Sequence, residues 1–152
     1  MMPSTPLPLT PTATVPCSTC GRPNRVDLQR TDDSPKCGAC GTALVLDQPI
    51  SASDADLEQI VRETTVPVIV DFYADWCAPC RMMAPAFAEL ARRRAGRALV
   101  VKLDTDRNPT MAIRYAIRGI PTVIVFREGQ EVARQVGAVP LGRLEQLLGA
   151  EG

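Results

Sequence analysis

The stretch VPVIVDFYADWCAPC, Val66 to Cys80, decides the fold. Val66 to Tyr73 is apolar apart from Asp71, too apolar for a sheet edge, and reads as a central strand. A helix follows over 77–94, with Met83, Phe87, Leu90 and Ala91 on one face and Pro85 expected to kink it. Upstream, Ser53 with Asp56 three residues on predicts a helix start, and Leu57, Ile60 and Val61 share its face. Downstream, Ala98 to Leu103 predicts a strand, and Asn108-Pro109 a capped helix reaching about Arg118. Thr122 to Phe126 and Glu131 to Val136 predict strands around the turn Glu128-Gly129-Gln130. Leu141, Leu144, Leu147 and Leu148 give a last amphipathic helix. The order βαβ then ββα implies an α/β layer fold, a mixed central sheet flanked by helices.

The position of Cys77-Ala78-Pro79-Cys80 between strand and helix carries chemistry. A helix N-terminus offers free N–H groups and partial positive charge, which stabilise a thiolate. Cys77, at the helix start, is therefore the expected nucleophile. Cys80, one turn deeper and less accessible, is the expected resolving thiol for a mixed disulfide. Pro79 falls where the first turn tolerates proline. Trp76, the single tryptophan, precedes the pair and is placed to shield it.

Composition narrows the rest. The chain has 152 residues, no histidine and six cysteines, all in C-x-x-C pairs. Without histidine, neither a Ser-His-Asp or Cys-His nucleophile nor a His-containing metal site can exist. Lys+Arg and Asp+Glu both count 17, so no basic field argues for nucleic acid. The run Arg92-Arg93-Arg94 reads as a complement to its helix dipole. Residues 1–16 carry no charge and five prolines, unlike a secretory signal, and read as a Pro/Thr-rich disordered tail. Apolar runs such as Val123 to Phe126 are far below the roughly 18 residues of a membrane span. The expectation is a soluble cytoplasmic protein and a likewise reduced setting for its thiols, where C-x-x-C means metal or redox chemistry.

Residues 17–46 hold Cys17, Cys20, Cys37 and Cys40, four basic and three acidic residues, and little aliphatic content before Leu44. Such a segment needs a staple or a metal. The spacing C-x2-C-x16-C-x2-C fits a zinc ribbon, with an iron–sulfur cluster or two disulfides as competitors. Gly21 and Gly41 follow the second cysteine of each pair, where a tight knuckle requires positive φ. A closed four-thiolate site is structural, and one Zn²⁺ per chain is expected. Its loss on oxidation would make a redox switch. Residues 47–49 read as a linker, and 47–152 as the globular domain.

VDFYADWCAPC (Val70 to Cys80), KLDTDRNP (Lys102 to Pro109), RGIPT (Arg118 to Thr122) and the segment around Gly137 together resemble the thioredoxin family. With the four front cysteines, the chain resembles its zinc-containing thioredoxin 2 type. The resemblance covers about residues 50–149 and implies the thioredoxin fold with a small N-terminal zinc ribbon. It implies that the Cys77–Cys80 disulfide is the redox centre, Asp71 the buried carboxylate behind it and Lys102 the basic neighbour of Asp71. Pro121 matches the family's cis-proline loop, and Trp76, Ala78, Pro79, Ile120 and Pro121 its client-facing surface. Ala78 departs from the glycine usual there, which puts the reduction potential and substrate fit in question. Asp71 has a plainer reading as the salt-bridge partner of Lys102.

The resulting reading is a monomeric protein-disulfide reductase. Its partners are disulfide-containing client proteins and, by resemblance, an NADPH-dependent thioredoxin reductase. The alternatives are a zinc-regulated holdase or adaptor binding clients near Trp76 and Pro121, and an oxidase or isomerase of the same fold.

Overall fold

The computed structural model describes residues 10–149, the side chains of 31–33 excepted. Two short strands come first, β1 (Thr12–Pro16) and β2 (Pro23–Asp27), paired antiparallel. Then follow β3 (Ile50–Ser51), α1 (Asp54–Glu63), β4 (Val68–Tyr73), α2 (Ala78–Arg93) and β5 (Leu99–Asp104). The last elements are α3 (Pro109–Arg114), β6 (Thr122–Arg127), β7 (Gln130–Val136) and α4 (Leu141–Leu148). The larger sheet has the order β3-β5-β4-β6-β7. β3, β5 and β4 run parallel, while β6 is antiparallel to β4 and β7 to β6. This is the mixed α/β sheet expected, with β4 at its centre.

Alternation along β4 sorts the core into two layers. Val68, Val70 and Phe72 join Leu57 and Ile60 of α1 and Met111 of α3. Ile69 joins Met83, Phe87 and Leu90 of α2 and Leu144 and Leu148 of α4. Asp71 has the parity of Ile69, so it lies on the α2 face of the sheet, toward the end where α2 begins. Each fully buried Leu or Phe here contributes roughly 1.5–3 kcal/mol. α2 runs through Pro85 without interruption.

The Ser53–Asp56 capping box is present in both directions, at 3.1 and 3.0 Å. Asn108 does not cap its own helix. It accepts a hydrogen bond from the Asp54 N–H, while the Asp54 carboxylate accepts from Thr110 and Met111 N–H, so α1 and α3 cap one another. α3 ends at Arg114, four residues short of expectation. Ala116 adopts φ 53°, and Ile117 N–H returns to the Ala112 carbonyl in a left-handed C-terminal motif. No glycine marks that stop.

The expected tail over 1–16 needs correction at its end, because Thr12–Pro16 is strand β1. Ala13 and Val15 are buried, and Thr14 N–H donates to Thr64 Oγ1 at 3.1 Å. Period-two alternation in TATVP outweighs its Pro/Thr composition. Residues 1–9 of that expectation lie outside the described residues. β1 also ties the front segment to the main sheet, since Ala13, Val15, Val26, Leu28 and Leu44 share one apolar cluster with Leu57, Ile60 and Phe72.

Candidate active site and metal centre

The Val68–Tyr73 strand delivers the chain to Ala74, Asp75 and Trp76, and α2 opens at Ala78 with Cys77 as its N-cap. Cys77 and Cys80 are disulfide-bonded, with Cα atoms 5.2 Å apart. The Cys80 N–H points at Cys77 Sγ, 3.3 Å away. The first turn of α2 carries no acidic residue, so nothing there opposes negative charge on Cys77. Accessibility does not separate the two cysteines as the sequence suggested, since Cys77 is 4% and Cys80 3% exposed. What distinguishes them is position, because Cys77 receives the helix N–H and Cys80 supplies it.

The Ile120–Pro121 peptide is cis, and Ile120 O lies 3.7 Å from Cys77 Sγ. Ile120 and Tyr73 pack against the small cluster of Ala74, Cys77 and Cys80. Ala78, Pro79 and Trp76 are exposed around the disulfide, Trp76 at 68%. The Trp76 indole N–H donates to Asp106 Oδ2 at 2.8 Å, which fixes its plane. Asp106 escaped sequence reasoning, because thirty residues separate it from Trp76 and one acid among several carries no signal.

Asp71 is 1% exposed, and neither carboxylate oxygen has a hydrogen-bond partner. Burial pushes its pKa from 3.8 up to about 7, against the pull of the Lys102 charge. Lys102 sits opposite Asp71 in the β4–β5 register. It closes no ion pair with the carboxylate; its ammonium lies 4.3 Å from the centroid of the Tyr73 ring. The salt-bridge reading of Asp71 is therefore not what this geometry displays.

The front cysteines form a second centre. The Sγ atoms of Cys17, Cys20, Cys37 and Cys40 all lie within 4.8 Å of one another. Cys17 and Cys40 are 3.5 Å apart and Cys20 and Cys37 3.6 Å. Tetrahedral zinc at about 2.3 Å from each sulfur requires sulfur separations of about 3.8 Å, so the four fit that ion. The two knuckles are built alike. Cys17 N–H reaches Arg22 O and Cys37 N–H reaches Thr42 O, at 2.9 and 2.8 Å. Gly21 at φ 77° and Gly41 at φ 78° make each reversal, as the sequence predicted. Amide N–H groups of Cys40 and Ala39 hold the Cys37 thiol down to about 6. Those of Cys20 and Thr19 lower Cys17 in the same way. Donors aimed at sulfur suit Cys17 and Cys37 as thiolates, while Cys20, despite the backbone donor of Arg22, is pushed up to about 11 by its hydrogen bonds with the neighbouring sulfurs.

Comparison with known proteins matches both centres. The family described as "Thioredoxin" matches residues 48–150, and the one described as "Thioredoxin 2, N-terminal", a zinc ribbon, matches residues 16–42. The chain is 36% identical over 132 residues to "Thioredoxin C-3" of Corynebacterium nephridii, covering 87% of this chain and 90% of that protein. It is 47% identical over 98 residues to "Thioredoxin 1" of Synechococcus elongatus, covering 64% and 92%. A solved mutant thioredoxin from Halobacterium salinarum NRC-1 superposes with a TM-score of 0.64 at 34% identity, covering 70% of this chain and 92% of that one. With a cysteine pair at a helix N-terminus and a four-cysteine cluster ahead of it, the chain belongs to the thioredoxin family and is a thiol–disulfide oxidoreductase.

Proposed function

We propose that the chain reduces disulfides in client proteins and is itself re-reduced by an NADPH-dependent thioredoxin reductase. The observation that carries this reading is the Cys77–Cys80 pair at the start of α2, on the sheet face that holds the buried, unpartnered Asp71. In the reduced protein, Cys77 thiolate attacks one sulfur of a client disulfide, forming a mixed disulfide and expelling the client's other sulfur as thiolate. Cys80 then loses its proton and attacks Cys77 Sγ. The Cys77–Cys80 disulfide forms, and the second client sulfur leaves as thiol or thiolate. Two electrons have moved from the dithiol to the client. With no histidine in the chain, Asp71 takes the Cys80 proton, directly or through a water, and its pKa of about 7 suits that task at neutral pH.

The client chain crosses the exposed surface of Trp76, Ala78 and Pro79, opposite Ile120 and Pro121. Lys102 modulates the charge near Asp71. Cys17, Cys20, Cys37 and Cys40 would hold one Zn²⁺, which would supply a cross-link between the two knuckles and no redox step. No helix among the described residues is long and apolar enough to cross a membrane. We place the protein in the cytoplasm as a monomer, where reducing conditions keep Cys77 and Cys80 available as a dithiol.

Trapping tests the reading. Cys80→Ser should accumulate mixed disulfides with client proteins through Cys77, visible on a non-reducing gel. Cys77→Ser should accumulate none and should lose insulin reduction. Equal trapping by both variants would show the roles wrongly assigned.

A further inference from the structure

Three groups on the α2 face of the sheet stand side by side. Asp71 and Tyr73 alternate along β4, so both project to that face, and Lys102 is the cross-strand partner of Asp71 on β5. A lysine opposite a buried carboxylate in a parallel pair would ordinarily close an ion pair. Here it does not: both Asp71 oxygens stay unpartnered, and the ammonium lies over the ring two residues further along. At 4.3 Å from the centroid it is well inside cation–π range. Tyr73 itself is tied into the redox centre, since it packs on Ala74, Cys77 and Cys80.

We propose that Tyr73 is a positioning residue: its ring face holds the Lys102 ammonium away from Asp71 and so keeps the carboxylate unpaired in the redox site. The proposal rests on the reading of Asp71 as the proton acceptor, but its test does not depend on that role. Remaining charged and titratable neighbours do not offer the lysine an equivalent seat near Asp71. β6 presents Val123 in register, and α2 and α4 present Met83, Cys80 and Leu144 on this face. Burial raises the pKa of the Tyr73 phenol, and the charges of Asp104, Asp75 and Asp71 add to it, while Arg107 acts in the opposite sense. The competition for the ammonium is therefore between one aromatic face and one desolvated carboxylate. Burial raises the Asp71 pKa, and a lysine seated on the ring instead of on the carboxylate opposes that rise only in part.

The experiment is a ¹³C NMR titration of the Asp71 carboxyl in the oxidised protein, in which Cys77 and Cys80 do not titrate. Tyr73→Leu removes the face, so Lys102 should swing to Asp71 and lower its midpoint by about one pH unit or more. Tyr73→Phe keeps the face and should leave the midpoint within a few tenths of wild type. In a Lys102→Met background, Tyr73→Leu should no longer lower it. An unchanged midpoint in Tyr73→Leu, or an equal drop with and without Lys102, overturns the proposal. The wild-type protein provides a check that needs no substitution, because a lysine over a ring shows upfield ring-current shifts of its ε-methylene protons. Random-coil ε-proton shifts for Lys102 would equally overturn it. Slow or normal mixed-disulfide resolution in an Asp71→Asn variant bears on the proton-transfer role and leaves this titration untouched.

Discussion

A single buried carboxylate shows how energy and chemistry oppose each other at the scale of one residue. Below pH 3.8 Asp71 is protonated whether the chain is folded or not, and its burial has no electrostatic cost. Between 3.8 and about 7 the unfolded chain releases the proton while the folded chain keeps it, so stability falls as pH rises. Above about 7 the loss is complete and on the order of 4 kcal/mol. Asp71→Asn removes the ionisation. The variant should therefore be more stable than the parent at pH 8, by a few kcal/mol, and nearly equal to it at pH 4. Resolution of the mixed disulfide by Cys80 should slow at the same time, since the proton acceptor proposed for Cys80 is gone. Urea midpoints at the two pH values, with insulin-reduction rates, measure both. A destabilised Asn variant at pH 8 would reject the desolvation account, and normal turnover would reject the proton-transfer role.

At the scale of elements, the apolar period carried most of the information. Val66 to Tyr73 declared a central strand because it is apolar on both faces, and β4 is indeed flanked by β5 and β6. Helices α1, α2 and α4 followed from their repeating faces, and the cysteine pair's place at a helix start followed from its position after that strand. What stayed hidden depends on contacts between distant segments. The two-residue strand β3 is too short for any period. The exchange of caps between Asp54 and Asn108 joins residues 54 apart. Lys102 turning to Tyr73 rather than Asp71 is decided by side-chain geometry that register alone leaves open. The end of α3 was missed because Ala116 occupies a left-handed position where glycine is the usual signal. That mismatch gives a test. Ala116 is exposed, so Ala116→Gly should relieve the backbone without disturbing packing and raise stability by about 0.5–1 kcal/mol. Ala116→Val should lower it by more than that, because a β-branched side chain fits the left-handed region worse. Thermal midpoints of the two variants check the order; a less stable Gly variant contradicts it.

At the scale of the whole molecule, the zinc ribbon and the thioredoxin domain do not behave as two beads on a string. Thr12 N–H donates to Thr65 Oγ1 at 2.8 Å, and Thr65 N–H returns to Thr12 O at 2.9 Å. Thr14 Oγ1 donates to Glu63 Oε1 at 3.1 Å, at the end of α1. Behind these bonds the ribbon's Ala13, Val15 and Leu44 share an apolar cluster with α1 and the sheet. The sheet of β3 to β7 nevertheless lies wholly within residues 50–136, so a chain lacking residues 1–46 keeps every strand of that sheet. Such a truncation should still unfold cooperatively and reduce insulin. It should also lose on the order of 3 kcal/mol, from hydrogen bonds worth about 1 kcal/mol each and from newly exposed apolar surface over α1. Removing zinc from the intact chain should move stability in the same direction, because β1 and β2 hang on the knuckles that a bound metal would tie together. The urea midpoint of the chelated protein should fall toward that of the truncated one, while Cys17→Ser/Cys20→Ser should start there and not respond to chelator. Cys77→Ser/Cys80→Ser should retain one zinc per chain by metal analysis. A truncated chain with an unshifted midpoint would make the ribbon an independent appendage, and one with no cooperative transition would mean that the sheet cannot stand without it.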